Sequence, residues 1–303
     1  PAPTARAAAE RNVDRMEMDI EQRSKKTADR MQILTTLNEN YLPRLQVRIT
    51  SLGVNQPEDP ADIWLMHSGI PQNALEPVSR QCRSYCFGFH PVEISSVAFL
   101  GAPVSSQYPR EMYYRLLAAE FLPESMHRIL YLDPDILLIN SLRPLWETDL
   151  TGYLFAAAAH TGKTELANNI NQFRLGTDHN YYNSGGLLID LARARKEIKA
   201  GEIFRFVEEH VRELLLPDQD ILNAMYGYRT LELDDSIWNY DARNYNNYLL
   251  RSAGICDMDW VMQNTAVLHF CGRSKPWQKG YMHRFGILYK HYERITQRNG
   301  SGY

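Results

Sequence analysis

The sequence predicts an α/β protein with a mostly parallel central sheet and helices on both faces. Short apolar segments alternate with segments of helical periodicity along the first half of the chain. This order favours parallel strands, because each intervening helix returns the chain to the same end of the sheet. Polar clusters at residues 38–41 and 133–135 follow two of these strands. Ligands bind beyond the carboxyl ends of strands in such sheets, so we expect a site there.

The composition is that of a globular protein with a large core. The 303 residues are 44% hydrophobic and 11% aromatic, which is too apolar for a disordered chain. The formal net charge of −3 gives no sign of a nucleic-acid partner. The four cysteines are too few and scattered for a disulfide framework, and no apolar run is long enough to span a bilayer. These features predict a reducing, cytoplasmic setting.

Residues 1–30 form a segment of distinct composition, rich in Ala, Arg and Glu and without glycine. Val13, Met16 and Ile20 recur at helical spacing, which predicts a charged helical extension. The sequence leaves open whether this extension rests on the domain or pairs with a second copy.

The elements of the first half follow from apolar periodicity. Short apolar runs predict strands at residues 31–37, 62–67, 92–97 and 129–132. Apolar positions at helical spacing predict a helix that ends near Gly53 and another over residues 106–121.

The second half repeats these patterns less regularly. Strands are predicted at residues 153–159, 181–191 and 266–270, and a helix begins at Pro217 with acids in its first turn. Residues 231–250 read as a long aromatic connection, whose rings suit stacking on sugars or packing in a core. Residues 282–303 form a basic amphipathic tail, either a solvated helix face or a contact with an anionic membrane.

Two carboxylates flank a proline directly after the buried run at residues 129–132. Side chains at i and i+2 of an extended backbone point the same way, so Asp133 and Asp135 should converge. Pro134 cannot donate a ladder hydrogen bond, so pairing should stop there. Converging carboxylates indicate a site for Mg²⁺ or Mn²⁺ that also binds phosphate oxygens. Two solvated loop aspartates are the alternative interpretation.

Two further clusters lie at strand ends. Gly185 and Gly186, at the start of a strand, indicate either close approach of a ligand or a bulge. His269, Gly272 and Lys275 bring to one strand end the groups that would bind an anionic diphosphate, although a strand histidine can also be a core residue.

Six blocks resemble glycosyltransferase family 8, which includes bacterial lipopolysaccharide galactosyl- and glucosyltransferases, galactinol synthase and glycogenin. The blocks are residues 36–41, 114–116, 131–135, 182–186, 218–223 and 269–277. Asp-x-Asp alone recurs by chance, whereas six ordered blocks that end in His-x-x-Gly-x-x-Lys-Pro-Trp are specific. Phosphatases of the haloacid dehalogenase type also carry Asp-x-Asp. They have Thr or Val two residues after the second Asp, where this chain has Leu137.

The resemblance implies a GT-A fold over residues 31–281, flanked by the extension and the tail. It further implies a retaining hexosyltransferase that moves glucose or galactose from a UDP-sugar to a hydroxyl of a glycan, glycolipid or glycoprotein. Mn²⁺ is the implied cofactor, with Mg²⁺ as the alternative, and the implied process is cell-surface glycan biosynthesis. The expected location is the cytoplasm, with peripheral contact at the inner membrane face through the tail left open. The oligomeric state is also left open.

The resemblance assigns a role to residues of each block. The implied metal ligands are Asp133, Asp135 and His269. The implied nucleotide-binding residues are Leu37, Asn38, Asn40, Tyr41, Gly272 and Lys275. The implied donor-sugar residues are Arg115, Asn183, Ser184 and His160. Asp218 and Gln219 are the implied catalytic residues.

The chain departs from the family pattern at two of these positions. Asn38 stands where many members have Asp, and His160 stands about where a bacterial galactosyltransferase has a donor-sugar aspartate. Retention could follow from double displacement, with Asp218 as nucleophile, or from front-face attack, which Gln219 favours because an amide is a poor nucleophile. A non-catalytic nucleotide-sugar or glycan-binding protein on the same fold is the remaining alternative.

Overall fold

The computed structural model describes residues 30–99, 101–103, 111–159 and 165–300. The strands in this part of the chain are β1 (Met31–Thr36), β2 (Ala61–His67), β3 (Gly88–Glu93), β4 (Arg128–Leu132), β5 (Ile136–Leu138), β6 (Phe155–Ala159), β7 (Tyr182–Asp190), β8 (Thr230–Leu233), β9 (Tyr240–Asp241) and β10 (Val267–His269).

The helices complete the alternation of elements. They are α1 (Leu42–Asn55), α2 (Gln72–Ser84), α3 (Glu111–Leu116), α4 (Ala118–Phe121), α5 (Arg143–Trp146), α6 (Glu165–Leu175), α7 (Leu191–Glu197), α8 (Ala200–His210), α9 (Pro217–Tyr226), α10 (Asp235–Trp238), α11 (Tyr245–Arg251), α12 (Met258–Asn264) and α13 (Gly286–Gly300). None of these described helices combines the length and apolar composition needed to cross a bilayer.

The large sheet has seven strands in the order β3-β2-β1-β4-β7-β6-β8. The first four in this order are parallel, as are β6 and β8. Strand β7 runs antiparallel to both of its neighbours, β4 and β6. The predicted mostly parallel sheet is therefore confirmed, with one reversed strand in its interior.

Helices cover both faces of this sheet. Alternate residues of β4 belong to two separate cores, with Ile129 and Tyr131 on one face and Leu130 and Leu132 on the other. The first core includes residues of α3, α4, α8 and α9, and the second includes residues of α1, α2 and α5. Burial on both faces explains why β4 reads as a continuous apolar run.

A second sheet holds three strands in the order β5-β10-β9. The chain leaves the large sheet at Leu132 and enters the small one at Ile136, so Asp133, Pro134 and Asp135 form the turn between the sheets. Strand β10 pairs antiparallel with β5, and His269 is the partner of Ile136 in this register. The small sheet thus brings His269 beside the turn.

Two element predictions were wrong. The third strand is Gly88–Glu93 rather than 92–97, and residues 96–99 form a 3₁₀ turn. The observed strand includes Pro91, which has no amide hydrogen to donate, but β3 is an edge strand, where this is tolerated.

The other error concerns residues 231–250, which are not a long connection. They contain most of β8 together with α10, β9 and most of α11. Tyr240 and Tyr248 are buried and stack with ring centroids 4.0 Å apart, so these two rings pack in the core under the small sheet.

The structure describes most of the predicted tail but almost none of the predicted N-terminal extension. The extension lies outside the described residues except for Arg30, and residues 104–110 of the predicted helix 106–121 are also outside them. In the tail, α13 packs on α1, where Thr296 and Thr50 share a hydrogen bond of 2.7 Å and Asn55 donates to the Tyr292 hydroxyl. Tyr289 and Tyr292 are buried, so the apolar face of α13 contacts the protein core.

Candidate active site

The turn between the two sheets is held from both sides. The Asp133 amide donates to the Gly185 carbonyl of β7 at 2.8 Å, and the Phe270 amide donates to the Asp135 carbonyl at 3.0 Å. Ligand atoms of Asp133, Asp135 and His269 lie within 4.8 Å of one another. His269 Nε2 is 3.3 Å from Asp135 Oδ1 and 4.0 Å from Asp133 Oδ2. Two carboxylates and an imidazole thus face one point.

An amide orients the imidazole of His269. Its Nδ1 lies 2.8 Å from Oδ1 of Asn239, which is completely buried. With this oxygen as acceptor, Nδ1 carries a hydrogen and Nε2 faces the carboxylates, the orientation in which it could bind a cation. Asn239 Nδ2 in turn donates to Asn183 Oδ1 at 2.9 Å, so the orienting amide is itself fixed.

Gly185 leaves the space that this cluster needs. A Cβ atom there would lie 2.4 Å from His269 Cε1 and 2.7 Å from Asp133 Oδ2. At Gly186 the nearest atoms would be 3.8 Å away. The close neighbours of Gly185 are thus side chains of the cluster rather than a ligand. The pairing of β7 with β6 shifts register between Leu187 and Tyr182, the stretch that holds both glycines, as the bulge interpretation expects. The donor set and this cradle fit a divalent cation.

Two cations flank the carboxylates. The Lys275 ammonium contacts Asp135 and donates to the Phe270 carbonyl at 2.8 Å. Arg115 lies 3.2 Å from Asp133 and 2.9 Å from Asp218, with its guanidinium over the Tyr131 ring at 4.5 Å. The Tyr131 hydroxyl donates to Asp133 Oδ1 at 2.6 Å. Both aspartates of the turn are thus bound to positive or hydrogen-bonding partners.

The pKa values of this cluster reflect burial opposed by charge. Burial would raise the pKa of Asp135, but His269 and Lys275 outweigh it and hold this pKa well below its usual value. Burial would lower the pKa of Arg115, but Asp133 and other neighbouring acidic groups hold it above its usual value. Asp135 and Arg115 are therefore ionised at neutral pH.

The N-terminal turn of α9 forms another wall. The side-chain oxygen of Gln219 accepts from Asn183 Nδ2 at 3.0 Å, and Asp218 accepts from the Ser184 hydroxyl at 2.8 Å. Asp220 points away into the protein, where it is fully buried and accepts two hydrogen bonds from Arg174. The first two residues of the Asp-Gln-Asp motif therefore face the site, and the third anchors the helix.

Two cavities border the acidic turn. The first, of about 500 Å³, is lined by Leu37, Asn38 and Tyr41 as well as by the turn. Asn40 lies beside this cavity, because its main-chain amide donates to Asn38 Oδ1 at 3.1 Å. The second, of about 300 Å³, is lined by residues of β7, α9 and the segment after β10. Four side chains line both cavities: Arg115, Asp133, Asp135 and Asp218.

Gly272 and Lys275 belong to the segment after β10. Gly272 has φ +82°, a left-handed conformation that favours glycine. A Cβ there would lie 2.2 Å from Nη1 of Arg243, so the segment also packs tightly at this point. Both residues line the smaller cavity.

The structure thus gathers the candidate residues named from the sequence, except His160, which lies outside the described residues. Sequence reasoning missed Asn239 and Arg48. Arg48 falls between Leu45 and Leu52 on the apolar stripe of α1, and a charge in that stripe was the signal. No comparable signal marked Asn239 within its aromatic segment.

A family model described as Glycosyl transferase family 8 matches residues 32–280. The chain belongs to glycosyltransferase family 8. Family membership supports glycosyl transfer as the activity. The resemblance read from the six sequence blocks is therefore confirmed.

Three named relatives match most of this chain, and two of them are named as glycosyltransferases. General stress protein A of Bacillus subtilis (strain 168) is 28% identical over 280 residues, which cover 90% of this chain and 96% of the relative. Lipopolysaccharide 1,2-glucosyltransferase of Escherichia coli (strain K12) is 24% identical over 265 residues, covering 84% and 74%. Lipopolysaccharide 1,3-galactosyltransferase of Salmonella typhimurium is 21% identical over 272 residues, covering 88% and 79%.

Solved structures of glycosyltransferases share the fold. Galactosyltransferase LgtC, in complex with donor and acceptor sugar analogs, aligns with a TM-score of 0.73 at 23% identity. The alignment covers 88% of this chain and 96% of LgtC. The apo form of GlyE from Streptococcus pneumoniae aligns with a TM-score of 0.66 at 19% identity, covering 89% and 62%. The predicted GT-A fold is confirmed by this likeness.

Proposed function

We propose that this family 8 protein is a retaining hexosyltransferase. It moves glucose or galactose from a UDP-sugar to a hydroxyl of a glycan or glycoconjugate, with Mn²⁺ as cofactor. The observation that carries the proposal is the cluster of Asp133, Asp135 and His269, which stands beside Lys275 and borders both cavities. A nucleotide cavity on one side and a sugar-sized cavity on the other suit a donor that is cleaved between them.

The three clustered side chains would hold the metal. An imidazole with two carboxylates suits Mn²⁺ better than Mg²⁺, which prefers oxygen ligands and water alone. When bound, a dication supplies positive charge to the diphosphate, whose negative charge grows as the sugar departs. Lys275 adds a second positive charge next to Asp135.

The larger cavity would take the nucleoside. Leu37, Asn38 and Tyr41 line it, and Asn40 completes the turn that shapes its wall. The Tyr41 ring meets Trp277 edge-on, with centroids 6.1 Å apart, which fixes one side of this cavity. Asn38 keeps a hydrogen-bond acceptor for the base where many family members have a carboxylate.

The smaller cavity would take the diphosphate end and the sugar. Gly272 and Lys275 would hold the diphosphate, while Arg115, Asn183 and Ser184 would contact the sugar. His160 stays assigned to the donor sugar on the family resemblance alone.

The contacts of Asp218 and the uncharged side chain of Gln219 favour front-face attack over double displacement. The Asp218 carboxylate is neutralised by Arg115 and accepts from Ser184, which makes it a poor nucleophile, and Gln219 carries no ionisable group. The acceptor oxygen therefore bonds to the anomeric carbon on the face from which UDP leaves. As the bond to the β-phosphate oxygen breaks, the acceptor proton passes to that oxygen. The amide oxygen of Gln219 would stabilise positive charge at the anomeric carbon.

The acceptor is proposed from the relatives. Their names include lipopolysaccharide glucosyl- and galactosyltransferases, so we propose a cell-surface glycan precursor as acceptor. Cytoplasmic UDP-sugar pools and membrane-bound precursors would place the enzyme in the cytoplasm, at the inner face of the membrane.

UDP release tests this function. The protein is incubated with UDP-glucose or UDP-galactose, with and without Mn²⁺, and UDP is measured. We expect metal-dependent UDP formation with at least one donor, through slow transfer to water when no acceptor is added. Asp135→Ala should abolish both turnover and metal-dependent UDP binding while the circular dichroism spectrum stays unchanged. Wild-type-like activity in this variant would contradict the site assignment.

The same assay distinguishes a transferase from a non-catalytic binding protein. A non-catalytic protein on this fold would bind UDP-sugars or glycans but release no UDP from any of several donors. That outcome would reject the transferase proposal in favour of a binding protein.

A further inference from the structure

A buried arginine lies directly behind the acidic turn. Arg48 stands on the apolar face of α1, and only 2% of its surface is exposed. Its Nη1 donates to the carbonyl oxygens of Leu132 at 2.7 Å and Asp133 at 3.0 Å. The same nitrogen lies 3.4 Å from the Thr35 hydroxyl. One guanidinium therefore joins α1 to the carboxyl ends of both β1 and β4.

These two strand ends carry different halves of the site. Strand β1 leads into residues 37–41, which shape the nucleotide cavity, and β4 leads into Asp133 and Asp135. The two strands pair directly in the sheet, and Arg48 adds a side-chain link between them just before the nucleotide segment and the acidic turn begin. Its hydrogen bonds go to main-chain oxygens, so it acts on the turn rather than on a substrate.

Arg48 also alters the charge of the site. Its guanidinium is a permanent cation and lies directly behind the acidic turn, 3.0 Å from the Asp133 carbonyl. Arg48, Arg115 and Lys275 place three positive charges beside the three carboxylates of Asp133, Asp135 and Asp218, before any charge on His269 is counted. A dication added alone would leave an excess of positive charge, which the anionic diphosphate of a nucleotide would offset.

Stability alone does not account for this arginine. Its Nη2 atom is buried and has no hydrogen-bond partner among the described residues. A buried cation with an unpaired donor is costly, and an apolar side chain of similar length commonly packs as well or better. What Arg48 adds in return is two hydrogen bonds to the start of the turn and a positive charge behind it.

We propose that Arg48 is a positioning residue, which holds the acidic turn in register with the nucleotide segment and makes dication binding depend on the diphosphate. The first half of this proposal, the positioning of the turn, concerns the protein without ligands. The second half, the dependence of dication binding on the diphosphate, rests on the proposed function.

Three variants test it: Arg48→Met, Arg48→Lys and the control Arg128→Met. Arg128 also donates to main-chain carbonyls, those of Trp146 and Thr148, but at the opposite end of β4. Hydrogen exchange of residues 131–139 in the ligand-free protein reports on the turn. Arg48→Met should speed this exchange by about tenfold or more, since buried carbonyls lose their donor. Arg48→Lys should be affected less, and Arg128→Met should leave exchange at the turn unchanged.

Calorimetry with UDP and Mn²⁺ tests the second half. Arg48→Met should bind UDP with Mn²⁺ about tenfold or more weakly, as outer-sphere changes at metal sites do, with partial rescue in Arg48→Lys. Binding of Mn²⁺ alone should fall less, because the variant removes a positive charge from the site. Equal losses in both titrations would contradict the charge role.

Two further results would overturn either the positioning role or the proposed function. Unchanged exchange at the turn in Arg48→Met would overturn the positioning role. A wild-type protein that binds UDP with no dication would overturn the proposed function, while the exchange comparison still decides the first half. If Arg48→Met does not fold, Arg48→Gln replaces it with the same expected directions, since its amide carries no charge.

Discussion

At the scale of single residues, a chain of amides lies behind the cluster of Asp133, Asp135 and His269 that we propose binds the metal. His269 contacts Asn239, Asn239 donates to Asn183, and Asn183 donates to Gln219. The imidazole that would bind the dication is thus connected to the side chain proposed beside the anomeric carbon. Orientation of a histidine ligand by a hydrogen bond to its other nitrogen is common at metal sites, and its loss is costly.

Asn239→Ala should therefore weaken Mn²⁺-dependent UDP binding by about 10- to 100-fold. The variant frees the imidazole to rotate and leaves Asn183 without one of its donors. Calorimetry measures the effect, with Asn246→Ala as control because Asn246 is exposed on α11. Equal affinity in the Asn239 variant and the wild type would show that this amide does not orient the ligand.

Residue chemistry was the part of the site most readily predicted from sequence. Asp133 and Asp135 are visible as converging carboxylates because an extended chain repeats every two residues. Arg48 could have been found as a charge in the apolar stripe of α1. Asn239 could not, because its role exists only once β9 and β10 bring distant segments together.

At the scale of elements, β7 places main-chain atoms against the cluster. It is the reversed strand of the large sheet, and its Gly185 carbonyl accepts from the Asp133 amide. Local sequence predicted the strand but not its direction, since alternation and apolarity are the same in both orientations. The close approach at Gly185 follows from this pairing.

Gly185→Ala should disrupt the site because its Cβ would overlap His269 and Asp133. Overpacking of this kind costs about 1–3 kcal/mol, and here the displaced groups are two proposed metal ligands. We expect weaker Mn²⁺-dependent UDP binding, measured by calorimetry, together with a lower melting temperature.

Gly201→Ala is the matched control. Gly201 lies in α8, and no atom lies within 4 Å of the place that a Cβ would occupy. Alanine there should therefore raise stability by about 0.5–1 kcal/mol and leave binding unchanged. Normal UDP binding in Gly185→Ala would contradict the need for space at that glycine.

At the scale of the whole molecule, the site exists because two sheets meet. The chain crosses from one to the other at Pro134, and β10 of the small sheet returns His269 to the crossing. Periodicity alone could predict neither the small sheet nor this meeting, because its strands are only two or three residues long. The pairing of His269 with the acidic turn was expected from the family resemblance instead.

The most direct test of the central claim is anomalous X-ray diffraction at the manganese absorption edge, on crystals grown with UDP and Mn²⁺. The account predicts one strong peak at bonding distance from carboxylate oxygens of Asp133 and Asp135 and from His269 Nε2, with the UDP diphosphate on its other side. A diphosphate bound in the cleft with no peak at this cluster, or with manganese held elsewhere, would contradict it.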